Sequence, residues 1–226
     1  ALAPHVLLTA GEVYLKAEPA APQKSEARYR QLVATFPDHE RVPRAQMGIG
    51  ICLHSQNKFD EAIAHLTTTA PVFKQPELLA ESRMWIGQSQ LDAKRPPEAV
   101  AALRSALQAK PDWVHADEIS FLLGVAHRAA QQFDAAVIEL GHFNAKHAKS
   151  TYRDQALLQL AEIHAQHKKY DLAIASYTKL VNELPQSSRI PAALYGMGSG
   201  QFELDQLPAA LQTLDKLVSG YPQSDF

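Results

Sequence analysis

Ala193-Leu194-Tyr195-Gly196-Met197-Gly198, followed by Leu207-Pro208-Ala209-Ala210, is the stretch on which the fold turns. Its Gly198 closes a column of small residues, Gly50, Gly87, Gly124, Ala161 and Gly198, that advances by 37 without a slip. A second small column, Ala62, Ala99, Ala136, Ala173 and Ala210, keeps the same step. One residue before the first column stand Ile49, Ile86, Leu123, Leu160 and Met197, and a fourth column reads Phe59, Pro96, Phe133, Tyr170 and Leu207. Registers that agree in this way mark a repeat architecture, in which each unit buries its apolar face only against its neighbours. Gly11 opens an earlier copy, 39 residues before Gly50, with the extra length in Glu18-Pro19-Ala20-Ala21-Pro22. The 226 residues therefore read as one array of six units, about 1–39, 40–76, 77–113, 114–150, 151–187 and 188–226.

Each unit reads as two helices. In the fifth, Leu157, Leu160 and His164 share one helix face, and Ala173, Tyr177 and Leu180 continue the three-and-four spacing on a second. Turns are predicted near 18–24, 57, 94, 131, 168 and 205, with no strand anywhere. The small columns have a steric reason, since antiparallel helices joined by a short turn approach closely only where side chains are minimal. Second helices stop before proline at Phe36-Pro37, Lys110-Pro111, Leu184-Pro185 and Tyr221-Pro222, because proline disfavours helical geometry in the preceding residue. Lys74 and Ala148 take that place in the other two units.

Composition narrows the function. Hydrophobic residues at 46% and charged residues at 20% suffice for a continuous core. Lysine plus arginine (22) nearly balances aspartate plus glutamate (24), so no global field draws nucleic acid or an anionic membrane. A lone Cys52 excludes an internal disulfide and a multi-cysteine metal site. No run is long and apolar enough to span a membrane, and Ala1-Leu2-Ala3-Pro4 lacks the basic start and apolar segment of a signal peptide.

The columns resemble the tetratricopeptide repeat, above all at 193–198 with 207–210 and at Tyr170-Asp171-Leu172-Ala173 with Tyr177. The resemblance covers essentially the whole chain and implies an all-α, right-handed α-solenoid of about six antiparallel helix pairs. It also implies a scaffold that binds other proteins. Leu184-Pro185-Gln186-Ser187-Ser188 and Tyr221-Pro222-Gln223-Ser224 look like the ending of a bacterial subgroup with outer-membrane assembly lipoproteins and Tol–Pal accessory proteins. That likeness favours an extracytoplasmic setting. Two columns depart from the family: the position often tryptophan reads Gln46, Arg83, Ser120, Leu157 and Leu194, and the one often tyrosine reads Leu53, Gln90, His127, His164 and Gln201. Weaker packing is expected between the middle units.

The same resemblance supplies a candidate groove, a concave face lined by first helices. Three before the small column stand Met47, Met84, Phe121, Leu158 and Tyr195; one after come Ile51 and Val125; four after come Leu91, Arg128 and Phe202. A contiguous apolar row along such a groove fits a partner peptide or helix. Glu81, Glu118 and Glu162 around it favour a segment with flanking basic residues. The asparagine and lysine set of carboxylate-capturing relatives is missing. Catalytic signatures are absent too: no phosphate loop, no paired-histidine zinc motif, no serine elbow. No cofactor and no metal is expected. His164 and His167 share a helix face at three-residue spacing and His127 lies one repeat earlier, but no carboxylate or thiolate completes a ligand set, and His127 and His164 fall in a column that packs between helices. A structural or assembly module docking through its terminal repeats, with self-association through Leu211, Leu214 and Leu217, is the alternative, and the chain is expected to be part of a longer array. A metal-dependent hydrolase is a third reading.

Overall fold

The computed structural model describes residues 3–225, which form twelve α-helices, one short 3-10 helix and no strand. Residue contacts divide the chain into two compact units, Ala1–Ala130 and Gln131–Phe226. The first holds α1 (Ala3–Lys16), α2 (Pro22–Thr35), α3 (Val42–Ser55), α4 (Phe59–Thr69), α5 (Pro76–Asp92), α6 (Pro96–Ala109) and α7 (Ala116–Ala129). The second holds α8 (Phe133–Lys146), α9 (Arg153–Gln166), α10 (Tyr170–Glu183), α11 (Ile190–Glu203) and α12 (Leu207–Gly220). Within each unit consecutive helices pack as stacked hairpins, and first helices also touch first helices: α1 on α3, α3 on α5, α5 on α7, and α9 on α11.

Proline serves both ends of the helices. Pro22, Pro43, Pro76, Pro96, Pro191 and Pro208 sit at the first or second helical position, where a missing N–H costs nothing. The residues before Pro37, Pro111, Pro185 and Pro222 leave the helix at φ −134°, −151°, −129° and −137°. Where Lys74 replaces proline the ending differs: α4 gives way to a 3-10 turn over Ala70–Val72, and α5 runs to 17 residues instead of 14.

The turns after α3, α5, α7, α9 and α11 share one backbone conformation. Asn57, Lys94, Gln131, Lys168 and Asp205 have φ between 57° and 60°, again in steps of 37, and none is glycine. At Asn57 the N–H of residue 57 bonds the His54 carbonyl and that of Lys58 bonds Leu53, at 2.8 and 3.0 Å. The same pair of bonds recurs at Lys94, Lys168 and Asp205. This is a Schellman ending, which satisfies the last helical carbonyls by backbone alone.

The small columns are close-contact sites. A Cβ on Gly87 would lie 2.6 Å from Leu103, and one on Gly198 2.8 Å from Leu214, each residue pressing on the second helix of its own hairpin. The Tyr29 ring is held from two sides, by Gly11 of its own hairpin and Gly48 of the next, and Tyr177 meets Gly196 likewise. Ala62, Ala99, Ala136 and Ala173 are fully buried.

Candidate partner-binding surface

The first-helix row divides by position. Met47 and Met84 are buried, and Phe121 keeps only 5% of its surface. Met47 packs with Leu66 and Phe73, and Met84 with Val100, Leu103 and Ile119. These three large groups belong to the core because neighbouring helices close over them, so the expected apolar ladder is not an open surface along α3, α5 and α7. Ile51, Leu91, Val125, Arg128 and Leu158 are half-buried; Ile51, Leu91 and Leu158 pack against core clusters. Of this row, Tyr195 and Phe202, both on α11, are the exposed members, at 49% and 62%.

The electrostatic surround also differs from expectation. Glu81 is engaged by Arg44 at 2.6 Å, one repeat away, and Glu118 lies 3.6 Å from His115. The charge of Glu81 is already answered within the array.

The histidines are structural. His127 and His164 are buried, as the column read as interhelical packing requires. Arg104 donates to His127 Nε2 at 3.4 Å. His164 is buried inside α9, while His167 caps that helix in the open, edge-on to Phe133 at 4.6 Å. Burial, with Lys169 and His167 nearby, pushes the His164 pKa down. His54 is lowered by burial, partly offset by Asp92, and its ring lies 5.2 Å from Trp85 and 5.5 Å from Phe59. Among the described residues no group of three or more histidine, cysteine, aspartate or glutamate side chains is placed to hold a metal ion. Cys52 is fully buried, which raises its thiol to about 11 and leaves it a packing residue.

Other exposed large apolar side chains stand on α1 (Val6, Val13), α8 (Ile138), α10 (Leu172) and α12 (Leu207, Leu211, Val218), and at Val72 and Val114 outside the α-helices. Of the three α12 leucines read as self-association contacts, Leu211 is exposed, Leu214 is half-buried against the Gly198 position and Leu217 lies in the core. The α1 face was missed in the sequence. Its signal was present: Val6 and Val13 occupy the registers of Ala45 and Cys52, both fully buried.

Tetratricopeptide repeat models match residues 9–70, 77–113 and 86–141, and again 155–187 and 192–224. The chain belongs to the tetratricopeptide repeat family. Members of this family serve as protein-interaction scaffolds, and that general role is the one its fold supports. Among solved structures, PilW, described as a widely conserved type IV pilus biogenesis factor, aligns over 100% of this repeat chain and 96% of its own, at 15% identity and TM-score 0.75. Pseudomonas aeruginosa pilF aligns over 98% and 93%, at 14% and 0.73. A tetratricopeptide repeat protein from Parabacteroides merdae ATCC 43184 aligns over 97% and 80%, at 14% and 0.71. At these identities the likeness is one of fold. No curated protein matches the chain. No helix among the described residues is long and apolar enough to cross a membrane.

Proposed function

We propose that this tetratricopeptide repeat chain is an assembly module, docking protein partners on the exposed faces of its outermost helices rather than threading a peptide along its first helices. The observation that carries this reading is the distribution of apolar surface: Met47, Met84 and Phe121 are consumed by packing, while Val13, Phe202, Leu211 and Val218 face water. Isolated exposed apolar residues mean little, but a group of them on adjoining helices is a docking surface. The whole-length fold likeness to PilW, described as a type IV pilus biogenesis factor, supports an assembly role of the same kind. The setting we favour is the bacterial envelope, on its extracytoplasmic side, which rests on the serine-containing endings at 184–188 and 221–224.

Site-specific photo-crosslinking in producing cells tests this. A photoreactive residue at position 202 or 211 is expected to give protein adducts, and one at 91 or 125 to give few. Adducts drawn mainly from 91 and 125 would restore the groove and remove the end-docking reading.

A further inference from the structure

The connection between α4 and α5 holds the one 3-10 turn among the described residues. Proline is missing at Lys74, and α4 unwinds through Ala70–Val72 instead of stopping short. Phe73 then sinks into the core with Met47 and Leu66, while Val72 and Lys74 on either side of it stay exposed. Between this connection and the start of α3 lies a cavity of about 460 Å³. Arg41, Arg44 and Lys74 are its cations, and Pro43, Val72 and Leu78 form its apolar wall.

The repeat supplies an internal control. Three steps of 37 carry much of this lining onto a second cavity, of about 620 Å³, beside the start of α9 in the other unit. Pro43 there becomes Asp154, Val72 becomes Glu183 and Lys74 becomes Pro185, so one place in the repeat is basic in one unit and acidic in the other. The acids of the second cavity are answered from within: Glu183 pairs with Arg153, and Asp154 accepts from Ser187 at 2.7 Å and lies 3.4 Å from Arg189 Nε. The first cavity is not balanced in this way. Glu81 holds Arg44 at 2.6 Å, but Arg41 and Lys74 make no ion pair among the described residues, and Arg41 Nε is shut from water without a hydrogen-bond partner. Of the nearby acids, Glu77 lies 3.7 Å from Lys110, and Glu40, on the lining, is exposed. One carboxylate facing two unanswered cations leaves the cavity short of negative charge.

We propose that this cavity binds an acidic segment of a protein partner, which brings a carboxylate to Arg41 and Lys74 and lays an adjoining apolar side chain against Val72, Pro43 and Leu78. Charge complementarity selects the carboxylate, which a guanidinium can take in a fork of two hydrogen bonds. The apolar wall selects a peptide over a bare anion, since free phosphate would leave Val72 and Leu78 uncovered. A cavity of this volume suits a few side chains and not a folded domain. The site goes beyond the assembly reading and does not rest on it, because none of its lining residues lies on α1, α11 or α12.

Chemical-shift mapping on the 226-residue chain is the test, with four probes: a hexapeptide of alternating aspartate and leucine, its asparagine–leucine and lysine–leucine counterparts, and inorganic phosphate alone. The acidic peptide should shift the amides of residues 40–44 and 72–78 and leave those of 150–154 and 183–187 in place. Arg41→Gln and Lys74→Gln should each weaken that binding about tenfold, and added salt should weaken it as well. Lys74 is exposed, so its variant should melt as the wild type does, and it carries the test if Arg41→Gln melts early. An absence of shifts at millimolar peptide overturns the proposal. So do equal shifts from the asparagine or lysine peptide, binding that both variants retain, or shifts at 150–154 and 183–187 instead. Phosphate that binds as tightly as the acidic peptide would reduce the cavity to a simple anion site and overturn it too.

Discussion

Ile174 and Leu211 hold the same place in successive repeats of the second unit, yet one lies beside α11 and the other faces water. Phe121 and Tyr195 differ in the same way within the first-helix row, one buried and one open. A repeat column states which way a side chain points. It does not state whether anything is there to cover it.

The largest effect expected from this contrast comes from a charge placed at each end of it. Phe121→Glu should cost about 3 kcal/mol or more, as burying an unpaired carboxylate does, and Tyr195→Glu less than about 0.5 kcal/mol. Urea midpoints of the two variants decide it; equal losses would mean that Tyr195 is covered as Phe121 is. The glycines sharpen the same point. Gly48→Val drives a side chain into a Tyr29 ring that Gly11 already holds from the other side, and should cost about 3 kcal/mol. Gly141, inside α8 with nothing within 4 Å of its absent Cβ, should instead give about 0.5–1 kcal/mol of added stability as Gly141→Ala.

Covered histidines carry a further consequence. Burial lowers the pKa of His54, His65 and His164 in the folded chain, and His65 Nε2 donates to the Gln46 carbonyl at 3.1 Å as a neutral ring. The unfolded chain then takes up protons first. Stability is fully present above the ordinary histidine pKa of about 6.5 and is lost as pH falls below it, by at most about 1.4 kcal/mol per pH unit for each ring. Melting temperature should therefore drop between about pH 7.5 and 5.5, and His164→Gln should flatten that slope. A melting temperature that rises over this range would contradict the covered state of these rings. A small effect belongs to the turns: Lys94→Gly should stabilise by about 0.5–1 kcal/mol, because glycine occupies positive φ without strain. Thermal melts of Lys94→Gly and Lys94→Ala, with gain in the first alone, check it.

Most of the fold was legible because it is periodic. The turns at 57, 94, 131, 168 and 205 fall where the step of 37 puts them, although no glycine announces them. The prolines mark the ends of four second helices for a reason local to each residue pair. What the sequence hid was whatever depends on a neighbour. Met47, Met84 and Phe121 were assigned to a groove by their column, and a large apolar side chain in that column suits a groove and a helix interface equally well. Leu211 and Leu217 look alike as letters and are separated by six residues, yet only one is free. The 3-10 turn at Ala70–Val72 escaped for a related reason: Lys74 and Ala148 both stand where proline is expected, yet α4 ends in a 3-10 turn and α8 does not.

The Schellman turns at Asn57, Lys94, Lys168 and Asp205 are sealed by their own main chain, and their side chains project into solvent. Such a corner asks no hydrogen bond of its own side chain, which points into water, so it is a place to graft. A peptide tag, a fluorophore attachment cysteine or a short ligand-binding loop inserted there should leave the hairpin on either side intact. Four insertion points spaced by multiples of 37 residues make this small protein a ruled scaffold, on which foreign groups can be displayed at chosen repeats.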